Sequence, residues 1–190
     1  MVLPAGPGAG RAVSTGARLR RAGFLDVARA EHLLADAALG PVLADGDKDS
    51  LVDALGAVAD PDLALLALVR LADAARGETV ASLARILATE RDARSRLLAV
   101  LGASRALGDD LVRRPELLDV VLDPASGTRV PADRVRAELL EAVGADPDAA
   151  VPVATAAGAT DALRRAYRRR LLRIAMTDLT ADDALELLED

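Results

Sequence analysis

Apolar positions in this chain recur at three- and four-residue intervals, and Gly, Pro, Ser and Asp break the pattern about every ten to twenty residues. That rhythm predicts helices, because residues i, i+3, i+4 and i+7 project from one side of a coil with 3.6 residues per turn. No run alternates apolar and polar positions as a half-buried strand does. Asp26 is placed to cap a helix running to Leu39, with Val27, Ala30, Leu33, Leu34 and Ala37 on one face and Gly40-Pro41 at its end. Ser50 is placed to cap a second, short helix. The clearest start is Asp60-Pro61-Asp62, which joins a capping acid, a Pro preset for the first turn and an acid near the positive end of the helix dipole. Leu63 to Ala75 follow before Gly77, and their apolar residues cover more than one face, which predicts burial on several sides.

Further along, Thr79 opens a helix with Leu83, Ile86 and Leu87 at helical spacing, and another ends at Gly102. Ser104 caps a short helix carrying Leu107, Leu111 and Val112, while Pro115 starts one that turns Leu118, Val121 and Leu122 inward before Pro124. Pro131 to Val143 sets Val135, Leu139 and Val143 four residues apart and stops at Gly144. Asp161 then caps an Arg-rich helix whose expected buried stripe is Leu163, Tyr167, Leu171 and Ile174, and Thr180 with Asp183 reads as the capping-box start of a last helix.

The fold class this predicts is all-α, with roughly eight to ten short helices. Residues 1–22, rich in Gly, Pro and Ala, read as a flexible tail, residues 23–144 as a helical domain and residues 145–160 as a linker-like segment. The Arg-rich helix and the beginning of a further helix occupy residues 161–190. Asp190 falls inside that further helix with no C-cap glycine or basic last turn after it, so the natural protein is expected to continue.

Composition narrows the class. An apolar share of 52% beside 28% charged residues excludes a disordered chain. Phe24 and Tyr167 are the only aromatics, so the core has to be built from Leu, Val, Ile and Ala, of which Ala and Leu favour helices. The absence of Cys excludes disulfides and thiolate metal sites and is compatible with a reducing compartment. The longest apolar run, Leu63 to Val69, is far short of the roughly 20 residues that span a bilayer. The basic N-terminus (Arg11, Arg18, Arg20, Arg21) is followed by no secretory apolar stretch, and a cytoplasmic protein without membrane attachment is expected. A net charge of −6 and the scarcity of stacking aromatics disfavour nucleic acid as a partner.

Candidate chemistry is sparse. Asp45-Gly46-Asp47, Asp60-Pro61-Asp62 and Asp146-Pro147-Asp148 pair carboxylates that could hold a divalent cation on a strand, but no strand-like run precedes any of them, and caps or turns are the expected role. Gly6, Gly8 and Gly10 lack the strand and the Gly-Lys-Ser/Thr of a phosphate loop. His32 is the lone histidine, and Ser104 lacks the Gly-x-Ser-x-Gly setting of a nucleophile. No catalytic residue, metal ligand or cofactor site is therefore assigned to this chain. The one dense cluster is Arg164, Arg165, Arg168, Arg169, Arg170 and Arg173. With the expected stripe inward, Arg164, Arg165, Arg168 and Arg169 face outward, either solvated among the domain's acids or gripping phosphate or an acidic protein surface.

Three segments carry a family resemblance. Leu98 to Glu116, with Leu101-Gly102-Ala103-Ser104 and later Leu111 four residues before Pro115, is similar to a Leu-Gly-x-Ser stretch of the glutamine synthetase adenylyltransferases. Leu163 to Ala175 resembles the Arg-rich Leu-Arg-Ile-Ala helix that precedes the family's first nucleotidyltransferase core, and Asp60-Pro61-Asp62-Leu63-Ala64 is also similar to the family. Together they span most of residues 50–190 in order, and the Ala- and Arg-heavy usage suits an actinobacterial member. The resemblance implies a bifunctional enzyme that attaches AMP from ATP to a tyrosine of glutamine synthetase with magnesium and removes it by phosphorolysis according to nitrogen status. Glutamine synthetase, a nitrogen-status signalling protein and the adjoining nucleotidyltransferase core are the implied partners. The family's Gly-rich stretch and Ser-Asp-x-Asp motif are missing here, so the chain reads as an N-terminal fragment that is inactive alone. The alternative is a free-standing helical module that binds an acidic partner through Arg164 to Arg173. The pattern predicts a far-ultraviolet circular dichroism spectrum of helix without strand. A strand content above a few per cent would contradict it.

Overall fold

Leu- and Ala-rich segments bounded by capping residues fold into ten α-helices in the computed structural model, which describes residues 14–43 and 47–180, and no strand occurs among the described residues. They are α1 (Thr15–Arg21), α2 (Val27–Leu34), α3 (Lys48–Leu55), α4 (Pro61–Ala74), α5 (Glu78–Ala88), α6 (Arg91–Ala103), α7 (Arg105–Arg113), α8 (Leu118–Leu122), α9 (Ala132–Ala142) and α10 (Ala159–Thr180). Short 3-10 turns occupy Ala37–Leu39, Pro115–Leu117 and Pro124–Gly127. The all-α expectation holds.

Helix α4 is the centre. It touches α2, α3, α6, α7 and the Ala37–Leu39 turn, and it buries Ala64, Leu65, Ala67, Leu68, Val69, Leu71 and Ala72. Burial on several sides follows from apolar residues covering more than one face. The backbone N–H of Leu63 donates to Asp60 Oδ1 at 2.8 Å, closing the helix start. Asp62 accepts from the N–H of Leu25 at 2.8 Å and of Asp26 at 3.3 Å, which ties the N-terminal segment to α4. Both carboxylates of this triplet are thus engaged by backbone. In the Asp146 triplet, Asp148 N–H donates to Asp146 Oδ1 at 2.9 Å, a turn closed on itself. Of the third triplet only Asp47 is described, at the N-cap of α3.

Several boundaries differ from the sequence reading. The helix expected from Asp26 to Leu39 stops at Leu34, and Asp36 then caps the 3-10 turn through the N–H of Ala38 at 2.9 Å, because a local Asp competes for backbone donors. Lys48, two residues before Ser50, starts α3. The expected tail of residues 1–22 includes α1, whose Leu19 is fully buried and whose Arg18 pairs with Asp49 and Asp53 of α3. The hydrogen bond that Arg18 donates to Asp49 raises its already high pKa. Gly6, Gly8 and Gly10 lie outside the described residues, as does the last helix expected beyond Thr180. Ser104 caps α7 by accepting from the N–H of Leu107 at 3.3 Å, and His32 is exposed on α2. Residues 145–158 hold no helix and fold back on the end of α9, where Thr155 and Ala156 N–H donate to Val143 O at 3.1 and 3.0 Å.

Two glycines report opposite packing states. A Cβ on Gly102 of α6 would sit 2.8 Å from Val58 Cγ2 and 3.1 Å from Asp60 O, whereas one on Gly108 of α7 would meet Ala67 Cβ at 3.5 Å and Leu101 Cδ2 at 3.6 Å. Gly108→Ala is expected to raise stability by about 1 kcal/mol through helix propensity. For Gly102→Ala, an overpacking cost of about 1–3 kcal/mol outweighs the same gain and lowers the melting midpoint. Thermal melts of the pair check the opposite signs.

Candidate interaction face

Helix α10 runs for 22 residues and lies against α6, α8, α9 and the Pro124–Gly127 turn. Its inward residues are Arg169, Leu172, Arg173, Met176 and Thr177, spaced i, i+3, i+4, i+7 and i+8, which is one helical face. Leu172 and Met176 are the side chains it buries. The stripe expected to be buried is on the opposite side: Leu163 is 42% exposed, Tyr167 57%, Leu171 40% and Ile174 43%. This corrects the sequence reading: Leu172 and Met176 supply the apolar contact, and from the same face Arg169, Arg173 and Thr177 meet Asp119, Asp123 and the Ser126 carbonyl on α8 and the turn after it.

The grip is specific. Arg169 meets Asp119 with two parallel bonds, Nη1 to Oδ1 at 3.3 Å and Nη2 to Oδ2 at 3.0 Å. Arg173 Nη2 donates to Asp123 Oδ2 at 3.1 Å, and Thr177 Oγ1 donates to Ser126 O at 3.2 Å. Arg170 Nη2 reaches Val130 O at 3.5 Å, and its buried Nε has no partner among the described residues. Arg164 pairs only with Asp161 of its own helix, at 3.1 Å, with both side chains largely exposed. Arg165 and Arg168 have no carboxylate partner among the described residues. Of the four arginines expected to face outward, Arg169 is therefore engaged inside the domain, while Arg164, Arg165 and Arg168 remain available to a partner.

Sequence reasoning passed over Arg96 of α6, which is 8% exposed. Its Nη2 donates to Val121 O at 2.8 Å, and Ser126 Oγ donates to Val120 O at 2.6 Å, so both serve carbonyls of the last turn of α8. A cation at that end also suits the helix dipole. The signal was its spacing, since Arg96 lies three residues after Ala93 and four before Val100, both buried. Among the described residues no group of three or more His, Cys, Asp or Glu side chains is placed to hold a metal ion, and no helix is long and apolar enough to cross a membrane.

A family model described as glutamate-ammonia ligase adenylyltransferase matches residues 94–188. Among curated relatives, a protein of Streptomyces avermitilis is 44% identical over 171 residues, covering 90% of this chain and 15% of its own length. One of Streptomyces coelicolor is 40% identical over 186 residues, covering 95% and 17%, and one of Cutibacterium acnes is 42% identical over 134 residues, covering 69% and 13%. Each carries the name bifunctional glutamine synthetase adenylyltransferase/adenylyl-removing enzyme. The chain thus spans about a sixth of the length of the relatives it matches. No solved structure matches it.

The two sides of α10 should respond differently to substitution. Arg169→Gln removes a partly exposed pair and is expected to cost no more than about 1 kcal/mol, less at high salt. Met176→Ala opens the buried contact and is expected to cost about 2–5 kcal/mol. Urea unfolding of both variants at low and high ionic strength measures the difference.

Proposed function

The chain belongs to the glutamate-ammonia ligase adenylyltransferase family, and on that premise we propose that it forms the N-terminal helical part of a bifunctional nucleotidyltransferase that adenylylates and deadenylylates glutamine synthetase in nitrogen regulation. Its own work there is scaffolding and docking, and as an isolated chain it transfers no AMP. ATP and magnesium belong to catalytic cores elsewhere in the full-length protein. Glutamine synthetase, a nitrogen-status signalling protein and the adjoining core are the partners this role calls for, in a cytoplasmic setting.

The observation that carries the docking role is the division of the arginines on α10. Arg169 and Arg173 bind Asp119 and Asp123 within the domain, and Arg164, Arg165 and Arg168 are left at the surface. A helix held in place by Arg169 and Arg173 presents Arg164, Arg165 and Arg168 at fixed positions, so an acidic partner meets an ordered cationic surface.

Two measurements test this. Incubation of the chain with ATP, magnesium and glutamine synthetase is expected to leave the synthetase unlabelled, and incorporation that tracks this chain would overturn the scaffolding role. Replacing Arg164, Arg165 and Arg168 with Gln is expected to leave the melt within about 1 kcal/mol of wild type. The same change should weaken capture of glutamine synthetase or of the adjoining core, in a manner that fades as salt rises. Unchanged capture of both by the Gln variant would end the docking role of these arginines.

A further inference from the structure

The exposed stripe of α10 is an interaction surface of its own. Leu163, Tyr167, Leu171 and Ile174 follow one another at spacings of four, four and three residues, each between 40% and 57% exposed. At 1.5 Å per residue they form a ridge about 16 Å long, the length of three helical turns. On one edge of that ridge, a further 60–100° around the helix at about 100° per residue, lie Arg164 and Arg168, and on the other edge lies Arg170. We propose that this ridge seats an amphipathic helix from the part of the longer family protein that lies outside the matched segment, a helix with an apolar face and with Asp or Glu along the edge that meets Arg164 and Arg168.

Area and charge together select that occupant. The four side chains expose on the order of 300–400 Å² of surface, about half of the roughly 800 Å² per partner in a standard stable complex. A ridge of that size holds an occupant firmly when both belong to one polypeptide and the effective concentration is high. The relatives provide such a polypeptide, since the matched segments make up 13–17% of their length, and the family model that matches residues 94–188 includes α10. A second copy of this chain fits poorly. Antiparallel pairing would set Arg168 and the Asp161-paired Arg164 against their own copies, and parallel pairing would set them against the half-buried Arg170, so neither orientation offers Arg168 an acid that is not already held. Acids along one flank of the incoming helix supply that partner and fix its register.

This rests on the reading of α10 as a docking helix, and thiol labelling separates the two. The chain contains no cysteine, so Tyr167→Cys and, as a control, Leu25→Cys each introduce a single thiol, the latter at a position 95% exposed on the other side of the sequence. Alkylation at each is followed by peptide mass in the free chain and in the Streptomyces avermitilis relative carrying this chain in place of its own matched segment. The expected result is labelling at position 167 slowed at least about tenfold in the long protein, with position 25 unchanged, because a covered site reacts only through local opening. Adding Arg164→Gln and Arg168→Gln should restore part of the rate. Equal rates at position 167 in both settings would overturn the proposal, and so would protection that grows with the concentration of the free chain, which would identify a second copy as the occupant. If the chimera loses AMP transfer, the relative's remaining portion is added in trans at millimolar concentration and the same two rates are read. Protection at position 167 in a protein whose Arg variants still capture glutamine synthetase would retain this inference while discarding the arginine docking of the preceding section.

Discussion

Close packing of aliphatic side chains around α4 is the constraint on which the rest of this structure depends. Leu65, Leu68 and Leu71 are wholly excluded from solvent, and Leu97, Leu98 and Leu101 of α6 are equally buried in the same core. With Phe24 as the one aromatic in that core, no large ring is available to fill an awkward gap. Small residues therefore take up the closest approaches, and Gly102 of α6 lies directly against Val58 and Asp60 in the segment that leads into α4. The first 3-10 turn, the N-terminal helices and α7 are arranged as they are because α4 needs cover on every side.

Beyond that core the organisation changes from apolar to polar. The short helix α8 has its final carbonyls met by Arg96 and Ser126 and its acids met by Arg169 and Arg173. An element of five residues could not hold its own ends, and here its neighbours supply the missing partners. Helix α10 lies along α6, and where it passes α8 its inward side brings Arg169 and Arg173 to those acids, which leaves the ridge of Leu163, Tyr167, Leu171 and Ile174 outward.

Local signals in the sequence were legible where the chemistry was local. Asp26, Asp60 and Ser104 cap the helices they were expected to cap, and α4 has the burial that its all-round apolar pattern required. Helix α1 was not legible, because Thr15–Arg21 holds one large apolar side chain, too few to show a period, and its order comes from that Leu19 and from acids about thirty residues away on α3. The rotation of α10 was misread for a related reason. An apolar stripe at helical spacing reads as the core side unless the acids that compete for the other face are known, and Asp119 and Asp123 lie fifty residues upstream. Arginine content marked the helix as notable, while the roles of individual arginines depended on distant partners.

Helix α9 buries none of its side chains, and α10 buries Leu172 and Met176 alone. Segments with so few excluded apolar contacts are expected to open at lower free energy than the core around α4, to which Leu172 and Met176 tie α10. Amide protons of α9 and of the first turns of α10 are expected to exchange faster than those of α4, and a contact that covers these turns is expected to slow them.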